Sequence, residues 1–184
     1  MKRVFDVTAS LLLLLLLFPL LCTVALAVYL NDFGAVVFKQ RRIGFGGREF
    51  YLYKFRSMVI DAEKLGGYST QKEDVRITKV GRFIRRTSLD ELPQLVNVLK
   101  GDMSLVGPRP NVPAQRQGYS EEEWQLRNSV RPGITGLAQA TLRSAATAEQ
   151  RKQMDLDYAQ NASLWQDIKI LLMTVRQLCG KNTN

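Results

Sequence analysis

Residues 7–30 carry no charged side chain, and Leu11 to Leu30 is almost entirely apolar. Twenty-four helical residues at about 1.5 Å each reach ~36 Å, enough to cross a hydrocarbon core of ~30 Å. Pro19 lies in the middle, where it removes a helical hydrogen bond and bends the helix. Three readings fit. One is a single membrane crossing. A second is a signal peptide, with Lys2-Arg3 as its basic start and Ala25-Leu26-Ala27 as its cleavage pattern. The third is a re-entrant helix that dips in, breaks at Pro19 and returns to the same face. Basic residues flank both ends: Lys2 and Arg3 before, Lys39, Arg41, Arg42 and Arg48 after. A simple crossing concentrates them on one side, so this arrangement suits the third reading.

Beyond residue 34 the pattern changes. Val36 to Phe38 and the aromatic run Phe50 to Phe55 read as strands, and Gly44, Gly46 and Gly47 between them predict a hairpin. Polar residues 61–79, with Gly66-Gly67, predict an exposed loop. Leu89, Leu92, Val96 and Leu99 have helical spacing, and Gly101 ends that helix. Residues 107–113 and 131–136 read as Pro/Gly loops. Ser120 and Glu123 form a capping-box pattern that opens a helix. Ser163 and Gln166 open another, running to about Leu178. Its stripe is Leu164, Ile168, Leu171, Leu172, Val175 and Leu178, with Trp165 beside it and Lys169 and Arg176 flanking. Such a helix either packs on a core or lies in a membrane interface. The predicted class is mainly α with a small β-hairpin, α+β.

Composition narrows the chemistry. The chain has 184 residues, no histidine and two cysteines, Cys22 and Cys179. That excludes a Ser-His-Asp triad, a histidine general base, a four-cysteine metal site and a disulfide framework. Proton and group transfer falls to Asp, Glu, Lys, Tyr or metal-bound water. The net charge is +9; residues 39–109 hold fifteen basic and eight acidic groups, and residues 1–38 balance. A field of that sign draws phosphates, whether on lipid headgroups, nucleotides or nucleic acid.

The chemistry-bearing segment is Gly81 to Pro110. Arg82, Arg85 and Arg86 precede Asp90-Glu91, and Arg109 follows between Pro108 and Pro110. Arginine grips phosphate oxygens in a bidentate fork. A carboxylate can hold Mg²⁺, and a second carboxylate can attack phosphorus to form an acyl-phosphate. A plainer alternative has Ser88 to Glu91 as an S-x-x-E capping box. Pro93 points elsewhere, to a helix starting there with both acids in the preceding turn.

The ordered motifs Lys54-Phe55-Arg56-Ser57-Met58, Ser88 to Gln94, Gly101 to Pro110 and Arg131 to Gly136 resemble the bacterial sugar transferase family. These are the monotopic polyprenyl-phosphate phosphoglycosyl transferases, in their small catalytic form. The resemblance runs from Lys2-Arg3 to the last helix. It implies transfer of a sugar 1-phosphate from a UDP-sugar to undecaprenyl phosphate, with UMP released, through a covalent intermediate and with Mg²⁺. It implies Asp90 as nucleophile, Glu91 as Mg²⁺ ligand and Asp155 as a further acidic active-site residue. Lys54, Arg56, Arg85, Arg109 and Arg143 fall at substrate-binding positions. It also implies a re-entrant helix over residues 1–34 broken at Pro19, and a catalytic domain over 35–184. That domain sits on the cytoplasmic face of the bacterial inner membrane with an amphipathic C-terminal helix. No nucleic acid is expected as partner, and a homodimer is allowed. The rival is a non-catalytic, membrane-anchored basic module that binds anionic lipid or nucleic acid by charge alone. Departures from the family pattern are Ser57 for Thr, Leu142 for Gly, Ala148 for Trp, Asp157 for Tyr and Ala162 for Trp. Most cluster in the C-terminal third and bear on sugar identity.

Overall fold

The computed structural model describes residues 1–62, 65–66, 74–142 and 147–180. The apolar head forms two helices, α1 (Lys2–Leu16) and α2 (Phe18–Asp32). The break falls at Leu17, two residues before Pro19, and bends the pair by 65°. The offset follows from proline chemistry. Pro19 tolerates the first turn of α2, where no N–H partner is needed, but its ring excludes continuation from the turn before. Among the described residues no single helix is long and apolar enough to cross a membrane; the bent pair passes that test together.

Both arms pack on the rest of the chain. Phe5, Ala9 and Leu14 of α1 lie against the main core. Leu21, Val24, Ala25 and Val28 of α2 join a second cluster with Phe55 and Ile84. The opposite faces stay apolar and exposed, including Leu12, Leu15, Leu16, Phe18, Leu26 and Leu30.

The predicted hairpin is present. β1 (Val37–Ile43) pairs antiparallel with β2 (Glu49–Phe55), Val37 opposite Phe55 and Ile43 opposite Glu49. The loop expected over residues 61–79 is described only in part; Gly67 lies outside the described residues, and 79 already belongs to α3 (Lys79–Arg86). Gly81 sits where an added Cβ would fall 1.9 Å from the Ser57 carbonyl. The missing side chain lets α3 approach the end of β2 closely.

The helix predicted from Leu89 begins later, as α4 (Gln94–Lys100), capped by Pro93 and ended by Gly101 at φ 93°. Its buried face is Gln94, Leu95, Asn97 and Val98; Val96 is exposed. The later start rotates the core stripe away from the one read in the sequence. The fully buried Asn97 amide donates to the Tyr51 carbonyl (2.7 Å) and accepts from the Tyr53 N–H (3.0 Å), so it ties α4 to β2.

The two Pro/Gly segments hold more order than loops. β3 (Ser104–Val106) runs parallel to β4 (Gly133–Thr135). A Cβ on Gly107 would lie 2.2 Å from the Arg131 carbonyl, and one on Gly133 would lie 2.1 Å from the Gly107 nitrogen. The strands approach this closely because both positions are glycine. α5 (Glu121–Arg127) carries the full Ser120–Glu123 capping box. α6 (Leu137–Thr141) and α7 (Ala148–Gln160) follow, and α8 (Leu164–Cys179) closes the described chain. α8 packs one face on the core and leaves the other uncovered. Asp167 and Ile170 are buried, while Trp165, Leu172, Met173 and Val175 are exposed. The main core joins Leu52, Leu95, Val98, Met103, Leu105, Val106, Tyr158 and Ile170. Each such side chain contributes about 1.5–3 kcal/mol of burial free energy.

Candidate active site

The acidic pair sits on a short 3₁₀ turn, Leu89–Glu91, between α3 and α4. Ser88 enters it in the left-handed region, at φ 58°, and makes no side-chain cap. The S-x-x-E capping box does not form, so Glu91 is not spent on a helix end. A non-glycine residue at positive φ is uncommon and costly, and such strain gathers at functional sites.

The turn faces a cavity of about 770 Å³. One wall carries Lys54, Arg85, Asp90, Glu91 and Arg109. Another carries Thr135, Gln139, Arg151, Asp155 and Thr174. A third is apolar and comes from the bent helix pair: Leu13, Leu17 and Leu20. Each cation arrives on a different element. Lys54 stands on β2, Arg85 on α3, and Arg109 just after β3.

The two neighbouring acids have different environments. Glu91 Oε1 accepts from Lys54 Nζ and from Arg109 Nη2, each at 2.8 Å. Burial opposes its charge, but Arg109 and Lys54 outweigh that and hold the carboxyl at about 2. Asp90 is buried, with 7% of its surface exposed. Burial pushes its pKa up; the nearby Lys54 charge pulls it back only in part, and Glu91 adds to the rise. One carboxylate is thus clamped in its charged form, and its neighbour is less tightly paired. That is the state in which an oxygen nucleophile is reactive.

The cations outnumber these two acids. Burial lowers the Lys54 pKa, and Arg109 lowers it further. Arg42 donates to the Pro110 carbonyl at 2.9 Å and is pushed down to about 10 by burial and by the charge of Arg109. A polyanion such as a diphosphate relieves this crowding of positive charge. Among the described residues no group of three or more Asp, Glu or Cys converges as a metal cage. Mg²⁺ needs no such cage: it takes one or two protein carboxylates and fills its other positions with phosphate oxygens and water.

The structure therefore brings Lys54, Arg85, Asp90, Glu91, Arg109 and Asp155 to one cavity. Arg85 also donates from Nε to Ser57 Oγ at 2.9 Å, so the Ser that replaces the family's usual Thr still orients it. Arg56 is not among the cavity residues. Its guanidinium pairs with Asp32 at the end of α2. Arg143 lies outside the described residues.

A family model described as "Bacterial sugar transferase" matches residues 1–181. The chain belongs to that family. Three relatives illustrate it. An undecaprenyl-phosphate glucose phosphotransferase of Komagataeibacter xylinus is 48% identical over 98% of this chain and 36% of its own length. A UDP-glucose:undecaprenyl-phosphate glucose-1-phosphate transferase of Caulobacter vibrioides is 48% identical over 96% of this chain and 69% of its own. A UDP-N-acetylgalactosamine-undecaprenyl-phosphate N-acetylgalactosaminephosphotransferase of Aeromonas hydrophila is 41% identical over 96% of this chain and 43% of its own. The chain spans between about a third and two thirds of the length of these curated relatives.

One residue that supports the site carries no signal in the sequence. Arg127, on α5, is buried and donates to Asp155 Oδ2 at 2.7 Å and to the Arg109 carbonyl at 2.6 Å. It holds two cavity residues at once. Asp155 in turn is pushed up by burial, against the pull of Arg127. Nothing local marks Arg127, a lone arginine ending a short helix. Its partners lie 18 and 28 residues away.

Proposed function

We propose that this sugar transferase moves a sugar 1-phosphate from a UDP-sugar to undecaprenyl phosphate and releases UMP. The observation that carries the reading is the cavity itself. A buried Asp90 beside a clamped Glu91 shares one space with the cations Lys54, Arg85 and Arg109 and with leucines of the bent helix pair. Water-soluble diphosphate chemistry and a lipid-facing wall meet there.

The reaction runs in two displacements. Lys54, Arg85 and Arg109 bind the diphosphate oxygens and orient the phosphorus that carries the sugar. An Asp90 carboxylate oxygen attacks that phosphorus. A phosphorus–oxygen bond forms to Asp90, the bond to the bridging oxygen breaks, and UMP leaves with the electron pair. An oxygen of undecaprenyl phosphate then attacks the same phosphorus and displaces the Asp90 carboxylate. The product is a sugar diphosphate lipid. Glu91 would hold Mg²⁺ together with phosphate oxygens, and the ion would neutralise charge at phosphorus. Asp155, fixed by Arg127, lines the same cavity. Glucose is the first donor to test, because relatives at 48% identity are named for it.

In this reading α1 and α2 form a re-entrant hairpin, residues 1–34, seated in the inner membrane. Residues 35–184 lie on the cytoplasmic face, and the exposed apolar side of α8 rests among the headgroups. The test is UMP release by the purified protein with Mg²⁺, undecaprenyl phosphate and a panel of UDP-sugars. UMP from one donor, dependent on both Mg²⁺ and the lipid phosphate for turnover, supports the reading. No UMP from any donor overturns it.

A further inference from the structure

Two charged residues at the start of the apolar head, Lys2 and Asp6, are tied to the folded body. Asp6 is 2% exposed, in the second turn of α1, and the two dozen residues that follow it carry no charge. Burying a carboxylate there is costly unless its oxygens are matched. They are matched by β3. Asp6 Oδ2 accepts from Ser104 Oγ at 2.8 Å, and Oδ1 accepts from the Leu105 N–H at 3.1 Å. Lys2 donates to the Val106 carbonyl at 3.1 Å and pairs with the buried Asp167 of α8. Tyr158 bridges the same group, donating to Asp167 Oδ1 at 2.6 Å.

β3 has one strand neighbour, β4. Its other edge is completed by side chains of α1 in place of a third strand. Arg109 follows Val106 by three residues, across Gly107 and Pro108. On the far side, the Arg109 carbonyl is held by Arg127 and the Pro110 carbonyl by Arg42. The backbone that carries the cavity arginine is therefore pinned from two directions, and one of them is the first two turns of α1.

We propose that Asp6 is a positioning residue for the transfer reaction: it fixes β3 against α1 and thereby sets the Arg109 guanidinium at Glu91. The inference rests on the proposed transfer reaction for its kinetic consequence, and on the hydrogen bonds alone for its structural one. Correct seating of the helix pair becomes a condition for donor binding in the cavity.

The test uses the full chain in lipid nanodiscs, as wild type, Asp6→Asn and Asp6→Ala. Asn keeps an acceptor for the Leu105 N–H and a donor for Ser104, so it should behave as a rescue. Ala leaves a buried N–H without a partner, a loss expected to speed amide exchange across residues 104–109 about tenfold. The Michaelis constant for the UDP-sugar should rise by about the same factor in Ala, with Asn within about threefold of wild type. A merely structural role lowers the yield or melting temperature but leaves the Michaelis constant of the folded fraction unchanged. Unchanged exchange at 104–109 and an unchanged Michaelis constant in folded Asp6→Ala overturn the proposal. If Asp6→Ala does not fold, Ser104→Ala removes one of the two bonds and carries the same comparison. If no variant, wild type included, releases UMP, the transfer reading fails, while amide exchange still decides the coupling of α1 to β3.

Discussion

Asp90 and Glu91 are chemically near-identical neighbours, and their surroundings divide the labour between them. Asp90→Asn keeps the size and removes the charge that burial disfavours. It should cut UMP release by at least about a thousandfold. Its melting temperature should be equal to or above wild type, as read by thermal denaturation. The pH dependence follows from the same asymmetry. Burial raises the Asp90 pKa above its ordinary value of 3.8, so activity should fall on the acid side above that value as Asp90 gains a proton. Glu91 stays ionised across that range, because its pKa lies at about 2. Its lowered pKa stabilises the fold fully above 4.5, and that contribution is lost as pH falls towards 2. Glu91→Gln should flatten the stability profile over that window, measured by denaturant titration at each pH.

Among elements, the short ones matter most and were hardest to read. β3 and β4 are three residues each, too short for alternation to show, and their glycines read as loop. The expected stripe on α4 was out of phase because Pro93 sets a later start. The β-hairpin, the α5 cap and α8 were legible because each carries a pattern several residues long. Asp90, Glu91, Lys54, Arg85 and Arg109 were legible as motif positions. Arg127 was not, since its role exists only after α5 and α7 meet. Arg56 lies off the cavity lining for a related reason. β2 ends at Phe55, and beyond it the chain turns Arg56 towards Asp32 instead of continuing the face of Lys54. The Arg127–Asp155 pair yields a prediction at this scale. Arg127 and Asp155 side chains are 2% and 8% exposed. Removing one partner leaves a buried unpaired group, so Arg127→Met should cost about 3 kcal/mol of stability. Arg127→Met with Asp155→Leu should recover most of that loss in the same denaturation assay, while leaving donor binding impaired.

The whole molecule is organised around one bend. With the break at Leu17, both arms of the apolar head pack on the folded body and the leucines at the bend line the cavity. Pro19→Ala should allow α1 and α2 to run on as one helix of about 45 Å, long enough to cross a bilayer. A tag placed before Met1 should then become reachable from the outer face, as read by impermeant labelling of intact cells, and UMP release should fall with it. Wild type should label only after permeabilisation.

The central claim is that Asp90 carries the phosphosugar between two displacements. The direct measurement is the intact mass of the protein quenched after mixing with Mg²⁺ and the UDP-sugar it uses, before any lipid phosphate is added. One added sugar phosphate is expected on the wild type, mapped to Asp90, absent in Asp90→Asn and discharged by undecaprenyl phosphate. An unmodified wild-type mass, in a sample that releases UMP once the lipid is present, would contradict it and point to direct transfer between the two substrates.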